Sequence, residues 1–125
     1  MTTVYLSGPI AGEPLYHAAE WRNYIKERWP GCLDPLRHDI SQVTPAVIEQ
    51  DKEDIRNCDV FLMWCIRPSW GTPMELMYAH ELEKYIIVIN QIGALSPWVL
   101  YHATVVVGGL DDALKEIRKF DAARF

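Results

Sequence analysis

The sequence predicts an α/β fold, a single doubly wound domain built on a five-stranded parallel sheet. Short apolar runs alternate with helical patterns five times within 125 residues. This alternation is typical of parallel strands joined by helices that cover both faces of a sheet. Half of the residues are hydrophobic, 23% are charged, and no repeat or linker divides the chain, so residues 1–125 are expected to form one unit.

The first 42 residues predict two strands around one helix. Residues 4–6 form a short apolar strand, and Ser7-Gly8-Pro9 follows it as a turn. Apolar residues at helical spacing predict a helix over residues 16–29, which a Pro-Gly pair ends. Residues 32–33 begin a weak second strand, after which residues 34–42 are expected to form a polar loop.

The central part of the chain predicts a helix, a buried strand and a second helix. Pro45 is a favourable first-turn residue for a helix over residues 45–57. Residues 60–64, Val-Phe-Leu-Met-Trp, are the clearest buried strand of the sequence. A loop rich in turn-forming residues follows at residues 67–71, and the next helix is expected over residues 72–83.

The last third predicts two further strands and two helices. Residues 86–89 and 104–107 are continuous apolar runs, as expected of strands that are covered on both faces. Ser96-Pro97-Trp98 predicts the start of a short helix, and a final helix is expected over residues 110–120.

Two loops of this arrangement are candidates for a functional site. Ligands of parallel α/β sheets bind beyond the carboxyl ends of the strands, where the strand order reverses. Residues 7–14 and 65–75 follow the first and third strands. Glu75 has two interpretations. With Thr72 it matches a capping box at a helix start, whereas an ionised carboxylate in the strand-end crevice suits nucleophilic attack on a sugar carbon.

The other acids and the histidines have simpler interpretations. Asp51 lies in a run of acids on the helix before the third strand, and Glu53 and Asp54 in that run are expected to be solvated charges. Asp59, at the entry to the strand, is expected to be a turn or cap residue. The four histidines show no metal-ligand spacing, so no metal site is expected.

Three segments in order resemble the nucleoside 2-deoxyribosyltransferase family, whose superfamily includes the 2'-deoxynucleoside 5'-phosphate N-hydrolases. They are VYLSGP at residues 4–9, DKEDIRNCD at residues 51–59 and GTPMELMYA at residues 71–79. The resemblance covers most of residues 4–107 and implies a flavodoxin-like (Rossmann-like) domain. It also favours the catalytic interpretation of Glu75 over the structural one.

The resemblance implies a role for each of three residues. Glu75 matches the family nucleophile, which attacks C1' of a deoxynucleoside and forms a covalent deoxyribosyl-enzyme. Asp51 matches the acid that assists departure of the nucleobase, and Tyr5 matches the tyrosine whose hydroxyl steadies the nucleophile. Attack by a second base gives transfer, and attack by water gives hydrolysis.

The resemblance also implies the partners. They are a small-molecule nucleoside or nucleotide and a free nucleobase, without metal or organic cofactor. A homo-oligomer is expected, in which a neighbouring subunit completes the site.

The positions for the 5' end of the substrate give a mixed pattern. Ser69, six residues before the nucleophile, replaces the acid of transferases that use free nucleosides and matches a phosphate-binding serine of the monophosphate hydrolases. Ser96 resembles the serine that those hydrolases contribute across the subunit interface. In contrast, Pro9 and Ala11 stand where the hydrolases carry serine and arginine. The predicted substrate-binding residues are Ser7, Gly8, Pro9, Ser69, Trp70, Gly71 and Ser96.

Three functions are therefore weighed. The leading one is a transferase that exchanges bases on 2'-deoxynucleosides. The alternative is an N-glycosidase of 2'-deoxynucleoside 5'-monophosphates, which Ser69 and Ser96 favour. The third is a nucleotide-binding module without catalysis, which the presence of Glu75, Asp51 and Tyr5 argues against.

Composition excludes several other classes. Twelve basic and seventeen acidic residues give a formal charge of −5, which disfavours a nucleic-acid partner. The longest apolar run, residues 60–66, is too short to span a membrane, and no secretion signal is recognised. The three cysteines lack Cys-x-x-Cys spacing and are expected to be reduced thiols of a cytoplasmic protein.

Overall fold

The computed structural model describes residues 1–38 and 44–124, which form a parallel sheet between two layers of helices. Strands and helices alternate along the chain, as the sequence predicts. The elements are β1 (Val4–Ser7), α1 (Leu15–Arg28), β2 (Cys32–Leu33), α2 (Pro45–Asn57), β3 (Val60–Cys65), α3 (Gly71–Glu81), β4 (Tyr85–Asn90), α4 (Pro97–His102), β5 (Val105–Val107) and α5 (Leu110–Arg124).

The five strands are all parallel and lie in the order β2-β1-β3-β4-β5. This order is that of flavodoxin-like sheets, so the predicted fold class is confirmed. The chain first moves from β1 to one edge and then returns to the other side of β1 with β3. The strand order therefore reverses between β1 and β3, where Tyr5 pairs with Phe61 and Ser7 with Met63.

The core has two halves, one on each face of the sheet, because successive strand residues point to opposite faces. Leu6 and Leu62 pack with Trp21 and Ile25 of α1 and with α5. The intervening strand residues, with Tyr5 among them, pack against α2, α3 and α4 on the opposite face. Because side chains alternate between the two faces along a strand, Tyr5 and Ser7, two residues apart, face the same helices.

Two local predictions need correction or restriction. The capping-box interpretation of Thr72 and Glu75, which the family resemblance already disfavours, is wrong: α3 begins at Gly71, its N-cap is Trp70, and no side chain caps it. In the predicted loop over residues 34–42, a short 3₁₀ helix spans Pro35–Arg37, and Asp34 Oδ1 accepts from the Leu36 N–H at 2.9 Å. The remainder of that loop, residues 39–42, lies outside the described residues.

In the part of the chain that the structure describes, none of the helices combines the length and the apolar character that crossing a membrane requires.

Candidate active site

The carboxyl end of β1 and the start of α3 meet at the point where the strand order reverses. β1 presents Tyr5 and Ser7 toward this point, and the loop after β3 leads into α3, which carries Glu75 on its second turn. The two segments are 70 residues apart in sequence. The topology of the sheet alone brings them together.

Glu75 is held by two hydroxyl groups of β1. Tyr5 donates a hydrogen bond from its hydroxyl to Oε2 of Glu75, and Ser7 donates from Oγ to Oε1 at 3.1 Å. The ring of Tyr5 is in turn fixed by stacking on Phe61, with ring centroids 5.7 Å apart. The carboxylate is therefore oriented by side chains across the crevice and does not turn back to its own helix end.

Burial in this crevice raises the pKa of Glu75 to about 7. The negative charge of Asp51 also raises it, while the hydrogen bonds from Tyr5 and Ser7 and the charge of Arg22 lower it. The pKa of Tyr5 is itself raised far above its ordinary value, chiefly by burial and then by the Glu75 charge. Tyr5 thus stays protonated and serves as a hydrogen-bond donor.

Asp51 lies on α2, beside this carboxylate. Burial raises the pKa of Asp51 to about 6, and Asp54 raises it further against the lowering charges of His38, Arg37 and Arg22. Its Oδ1 atom is buried and has no hydrogen-bond partner among the described residues. The structure thus brings Tyr5, Asp51 and Glu75 into one electrostatically coupled group.

Asp54 is not a solvated helix-face charge, so that prediction is wrong. It is buried, and its two carboxylate oxygens accept hydrogen bonds from the Arg37 guanidinium, both at 2.6 Å. The Nε2 atom of His38 lies 2.8 Å from Oδ2 of the same carboxylate. Burial acts to raise the pKa of Asp54, but these partners hold it below its ordinary value. Asp54 thereby attaches the 3₁₀ segment to α2, one turn from Asp51.

One cluster in the described residues has the atoms of a metal site. His38, Asp51 and Asp54 each offer a ligand atom, all within 4.8 Å of one another. Asp54, however, is already neutralised by the bidentate Arg37 guanidinium, whose charge opposes a cation at the same carboxylate. The cluster therefore fits a metal poorly, and it is better described as an ion-pair network that flanks Asp51.

The predicted binding residues of the first loop are buried. Gly8 and Pro9 have little exposed surface, and a Cβ at Gly8 would lie 2.9 Å from the ring of Trp21. The glycine is thus required by the close approach of the Trp21 side chain of α1. Whether residues 8 and 9 contact a substrate stays a prediction.

Two of the four predicted binding residues of the later loops line a neighbouring cavity of about 200 Å³, and Trp70 and Gly71 are not among its lining residues. Ser69 and Ser96 both line it, together with Arg67. The Ser69 hydroxyl is buried and has no hydrogen-bond partner in the described part of the chain. Ser96 instead caps α4, because its Oγ accepts from the Trp98 N–H at 3.2 Å.

The tryptophans divide between core and surface. Trp64 belongs to the core on the α1 side, as expected, and donates from Nε1 to Gln91 at 3.0 Å. Trp70, next to Gly71 at the start of α3, leaves 91% of its surface exposed. Trp70 is thus available for stacking, and Trp64 is not.

Two features of the site were missed by the sequence analysis. Arg22 is fully buried on α1 beneath the crevice, and its position between Trp21 and Ile25 on the apolar stripe is the signal that could have revealed it. The second is an ion pair between Glu13 and Arg67, which joins the two candidate loops. No sequence motif predicts the Glu13–Arg67 pair.

Solved structures similar to this one include enzymes of nucleoside chemistry. A 2-deoxyribosyltransferase from Bacillus psychrosaccharolyticus superimposes with a TM-score of 0.74 at 17% identity, over 89% of each chain. The chain has the fold of the 2-deoxyribosyltransferases. This is also the family that the three sequence segments resemble.

Two further structures extend the likeness. A 2-desoxiribosyltransferase from Leishmania mexicana has a TM-score of 0.59 at 24% identity, covering 71% of this chain and 64% of its own. The CMP N-glycosidase BcmB from Clostridium botulinum has a TM-score of 0.59 at 16% identity, covering 93% and 98%. No protein-family model and no curated protein sequence matches this chain.

Proposed function

We propose that this protein is a nucleoside 2-deoxyribosyltransferase that cleaves the N-glycosidic bond of 2'-deoxynucleosides through a covalent deoxyribosyl-Glu75 intermediate. One observation carries the proposal: the Glu75 carboxylate is held at the strand-order reversal by hydroxyl donors from Tyr5 and Ser7. Hydroxyl donors orient a carboxylate without cancelling its charge. A carboxylate so held suits attack on an electron-poor sugar carbon.

In the first step, an oxygen of Glu75 forms a bond to C1' while the bond from C1' to the base nitrogen breaks. The electron pair of that bond goes to the base, which takes a proton from Asp51. Positive charge develops on the sugar, and the adjacent carboxylate stabilises it before the new bond is complete. With pKa values of about 6 for Asp51 and about 7 for Glu75, the pair shares one proton between pH 6 and pH 7. The reacting form is the one in which Asp51 holds that proton and Glu75 is ionised.

In the second step, a nitrogen of another nucleobase attacks C1' and the bond to Glu75 breaks. The proton of the attacking base passes to the Asp51 carboxylate, which restores the starting state. Attack by water in place of the base releases free deoxyribose and makes the same site an N-glycosidase. Among the described residues, the two carboxylates account for both steps.

A second candidate, an N-glycosidase of 2'-deoxynucleoside 5'-monophosphates, is favoured by a separate observation. The buried Ser69 hydroxyl lacks a partner among the described residues and shares a cavity with Ser96 and Arg67. These are groups that can donate to a phosphate. The likeness in fold to a CMP N-glycosidase also supports this candidate.

Homo-oligomer formation is part of the proposal. Helices α3 and α4 expose large apolar side chains, which include Met74, Met77, Trp98, Leu100 and Tyr101. The first three of these line a cavity of about 250 Å³. An exposed apolar surface of this kind is typical of protein interfaces. A second copy seated there would lie beside Ser96 and the cavity that it lines.

A cytoplasmic location is proposed from the cysteines. Cys32, Cys58 and Cys65 are all free thiols. Burial raises the pKa of Cys32 and Cys58 to about 12, so these thiols stay protonated and unreactive. Such cysteines suit a reducing compartment.

The test is incubation with a panel of 2'-deoxynucleosides and their 5'-monophosphates, with and without acceptor bases, followed by chromatography. A new nucleoside that forms only with acceptor supports the transferase. Free base released from monophosphates, with or without acceptor, supports the N-glycosidase. If no substrate is changed although one binds in calorimetry, the protein is a binding module and the proposal fails.

A further inference from the structure

Arg22 is an arginine buried in the core of the molecule. It lies on α1 among Ala18, Trp21 and Ile25, the stripe that packs on the sheet, and none of its surface is exposed. Removing a guanidinium from water is unfavourable unless its donors and its charge find partners. The hydrogen-bond partners of Arg22 therefore indicate its structural role.

Two of those contacts lie on either side of Ser7. The Nε of Arg22 donates to the carbonyl of Leu6 at 3.3 Å, and Nη2 donates to the carbonyl of Gly8 at 3.1 Å. Nη1 donates to Ala18 of its own helix at 2.7 Å. One guanidinium thus ties the carbonyls that flank Ser7 to α1.

We propose that Arg22 is a positioning residue for Glu75, acting through the end of β1 that it holds. With the carbonyls of Leu6 and Gly8 fixed, the Ser7 hydroxyl between them is fixed at 3.1 Å from Oε1 of Glu75. The hydrogen bonds of Arg22 go to backbone carbonyls, so Arg22 acts on Glu75 through the strand and through its charge. The inference rests on the proposed function only in giving Glu75 its catalytic role.

Trp21, the residue before Arg22, restrains the same end of β1 by packing against it. The ring of Trp21 approaches the Gly8 backbone so closely that a Cβ there would lie 2.9 Å from it. The guanidinium lies over that same ring, 4.7 Å from its centroid. Two successive residues of α1 thus hold one turn, the first by packing and the second by hydrogen bonds.

The charge of Arg22 acts on Glu75 as well. The groups that act on this carboxylate are Tyr5 and Ser7 from β1, Asp51 from α2 and Arg22 from α1. Burial and Asp51 raise the pKa of Glu75, and Arg22 opposes them. Arg22 is itself balanced by Asp34, 3.6 Å from Nε, which keeps the buried guanidinium charged despite its burial.

The experiment compares Arg22→Lys and Arg22→Met with a matched control, Arg28→Met, at an exposed arginine of the same helix. Two quantities are measured: the titration midpoint of Glu75, by NMR of carboxyl-labelled protein assigned with Glu75→Gln, and kcat on a deoxynucleoside. Lysine keeps the charge, but its point-like ammonium cannot span both carbonyls. The two variants therefore separate the effect of the Arg22 charge from the effect of its hydrogen bonds to the two carbonyls.

Arg22→Met is expected to raise the Glu75 midpoint and to lower kcat by about 100-fold, the cost of a small misplacement in an active site. Arg22→Lys is expected to raise the midpoint less than Arg22→Met does, because the charge stays while the Ser7 hydrogen bond is loosened, and still to lose most of the kcat. Arg28→Met is expected to change neither quantity. A folded Arg22→Lys with full kcat overturns the proposal, and so does a folded Arg22→Met with an unchanged midpoint. If Arg22→Met does not fold, Arg22→Lys decides.

The two proposals fail in different ways. If the unaltered protein turns over no deoxynucleoside, the proposed function fails. The Glu75 midpoint in Arg22→Met still tests Arg22, because that titration needs no substrate.

Discussion

Arg67 donates a hydrogen bond from Nε to the carboxylate of Glu13 and so joins the loop after β1 to the loop after β3. Nη2 of the same guanidinium donates to the Ala11 carbonyl at 2.7 Å, and Nη1 donates to Pro68 at 3.2 Å. His17 contacts the other oxygen of Glu13 at 2.6 Å. These hydrogen bonds, from Arg67 first and then from His17, lower the pKa of Glu13, which keeps it ionised and paired.

This pair predicts a preference for free deoxynucleosides over their monophosphates. Arg67 lines the cavity that Ser69 also lines, but Glu13 neutralises its charge before a phosphate can. Glu13→Gln is expected to raise kcat/KM for a 5'-monophosphate, relative to its nucleoside, by about tenfold. Steady-state kinetics on the two substrates measures this ratio.

The control for that variant is Glu20→Gln, which removes an exposed carboxylate from α1 without touching Arg67. Both variants raise the net charge by one, so a general electrostatic effect would appear in both. An equal change in the two ratios would contradict the role given to Glu13.

Glu75→Gln is expected to abolish turnover, because an amide oxygen is too weak a nucleophile to form the sugar ester. The fold should persist, since the glutamine side chain has the same size and its carbonyl can still accept from Tyr5. The checks are product formation by chromatography and a thermal melt. A covalent adduct of the unaltered protein with a slow 2-fluoro substrate, mapped to Glu75 by mass spectrometry, would support the nucleophilic role directly. A Glu75→Gln variant that is folded and active would show that Glu75 is not the nucleophile.

Asp51→Asn is expected to slow cleavage by about 10²–10⁴-fold for a base that leaves poorly. The loss should be smaller for a base that leaves easily, because such a base needs less protonation as the bond breaks. The measurement is kcat/KM over a series of bases of graded leaving ability. Glu53→Gln, an exposed acid of the same helix, is the matched control. A uniform loss across the series would make Asp51 a structural residue.

The pH dependence of kcat/KM is expected to be bell-shaped, with limbs near pH 6 and pH 7. One carboxyl must be ionised to attack and the other protonated to assist the leaving base, and their pKa values are raised to about 7 for Glu75 and about 6 for Asp51. Because the two carboxyls interact, the apparent pKa values of the two limbs describe the titration of the pair and not of either residue alone. A profile that is flat between pH 5 and pH 8 would exclude this pair as the titrating groups.

Stability should respond to the same titration. Between the ordinary value of 4.5 and the folded value of about 7, folded Glu75 binds more protons than the unfolded chain does. The free energy of unfolding therefore falls as the pH rises through this window. Relative to Glu75→Gln, the unaltered protein should lose roughly 1–3 kcal/mol between pH 4.5 and pH 7. Urea titrations at several pH values measure the difference, and a constant difference would contradict the raised pKa.

The sequence predicted the strands, the helices and the Tyr5–Glu75 pair for different reasons. Apolar β-branched and aromatic runs mark the strands directly, so the positions of β1, β3 and β4 were predicted to within one residue at each end. Tyr5 and Glu75 are 70 residues apart. Their contact was expected only through a family resemblance, since no local pattern records it.

The errors have a common physical cause. Glu75 matched a capping box by spacing, but two hydroxyl donors from β1 offer its carboxylate more than one backbone N–H of its own helix does. Asp54 matched a solvated charge, but Arg37 and His38 reach it from a different segment. Arg22 pairs with backbone carbonyls, which leave no trace in the sequence. In each case the decisive partner lies on a different structural segment, between 14 and 70 residues away.

The lengths of the strands have a consequence for how copies of this protein can associate. The edge strands β2 and β5 contain two and three residues, whereas the central strands β3 and β4 contain six each. An edge this short offers few free backbone donors and acceptors to a strand from another molecule. Continuation of the sheet from one copy into the next is therefore disfavoured, and amyloid-like stacking with it. Contact between copies is therefore expected through other surfaces, such as the exposed apolar side chains of α3 and α4.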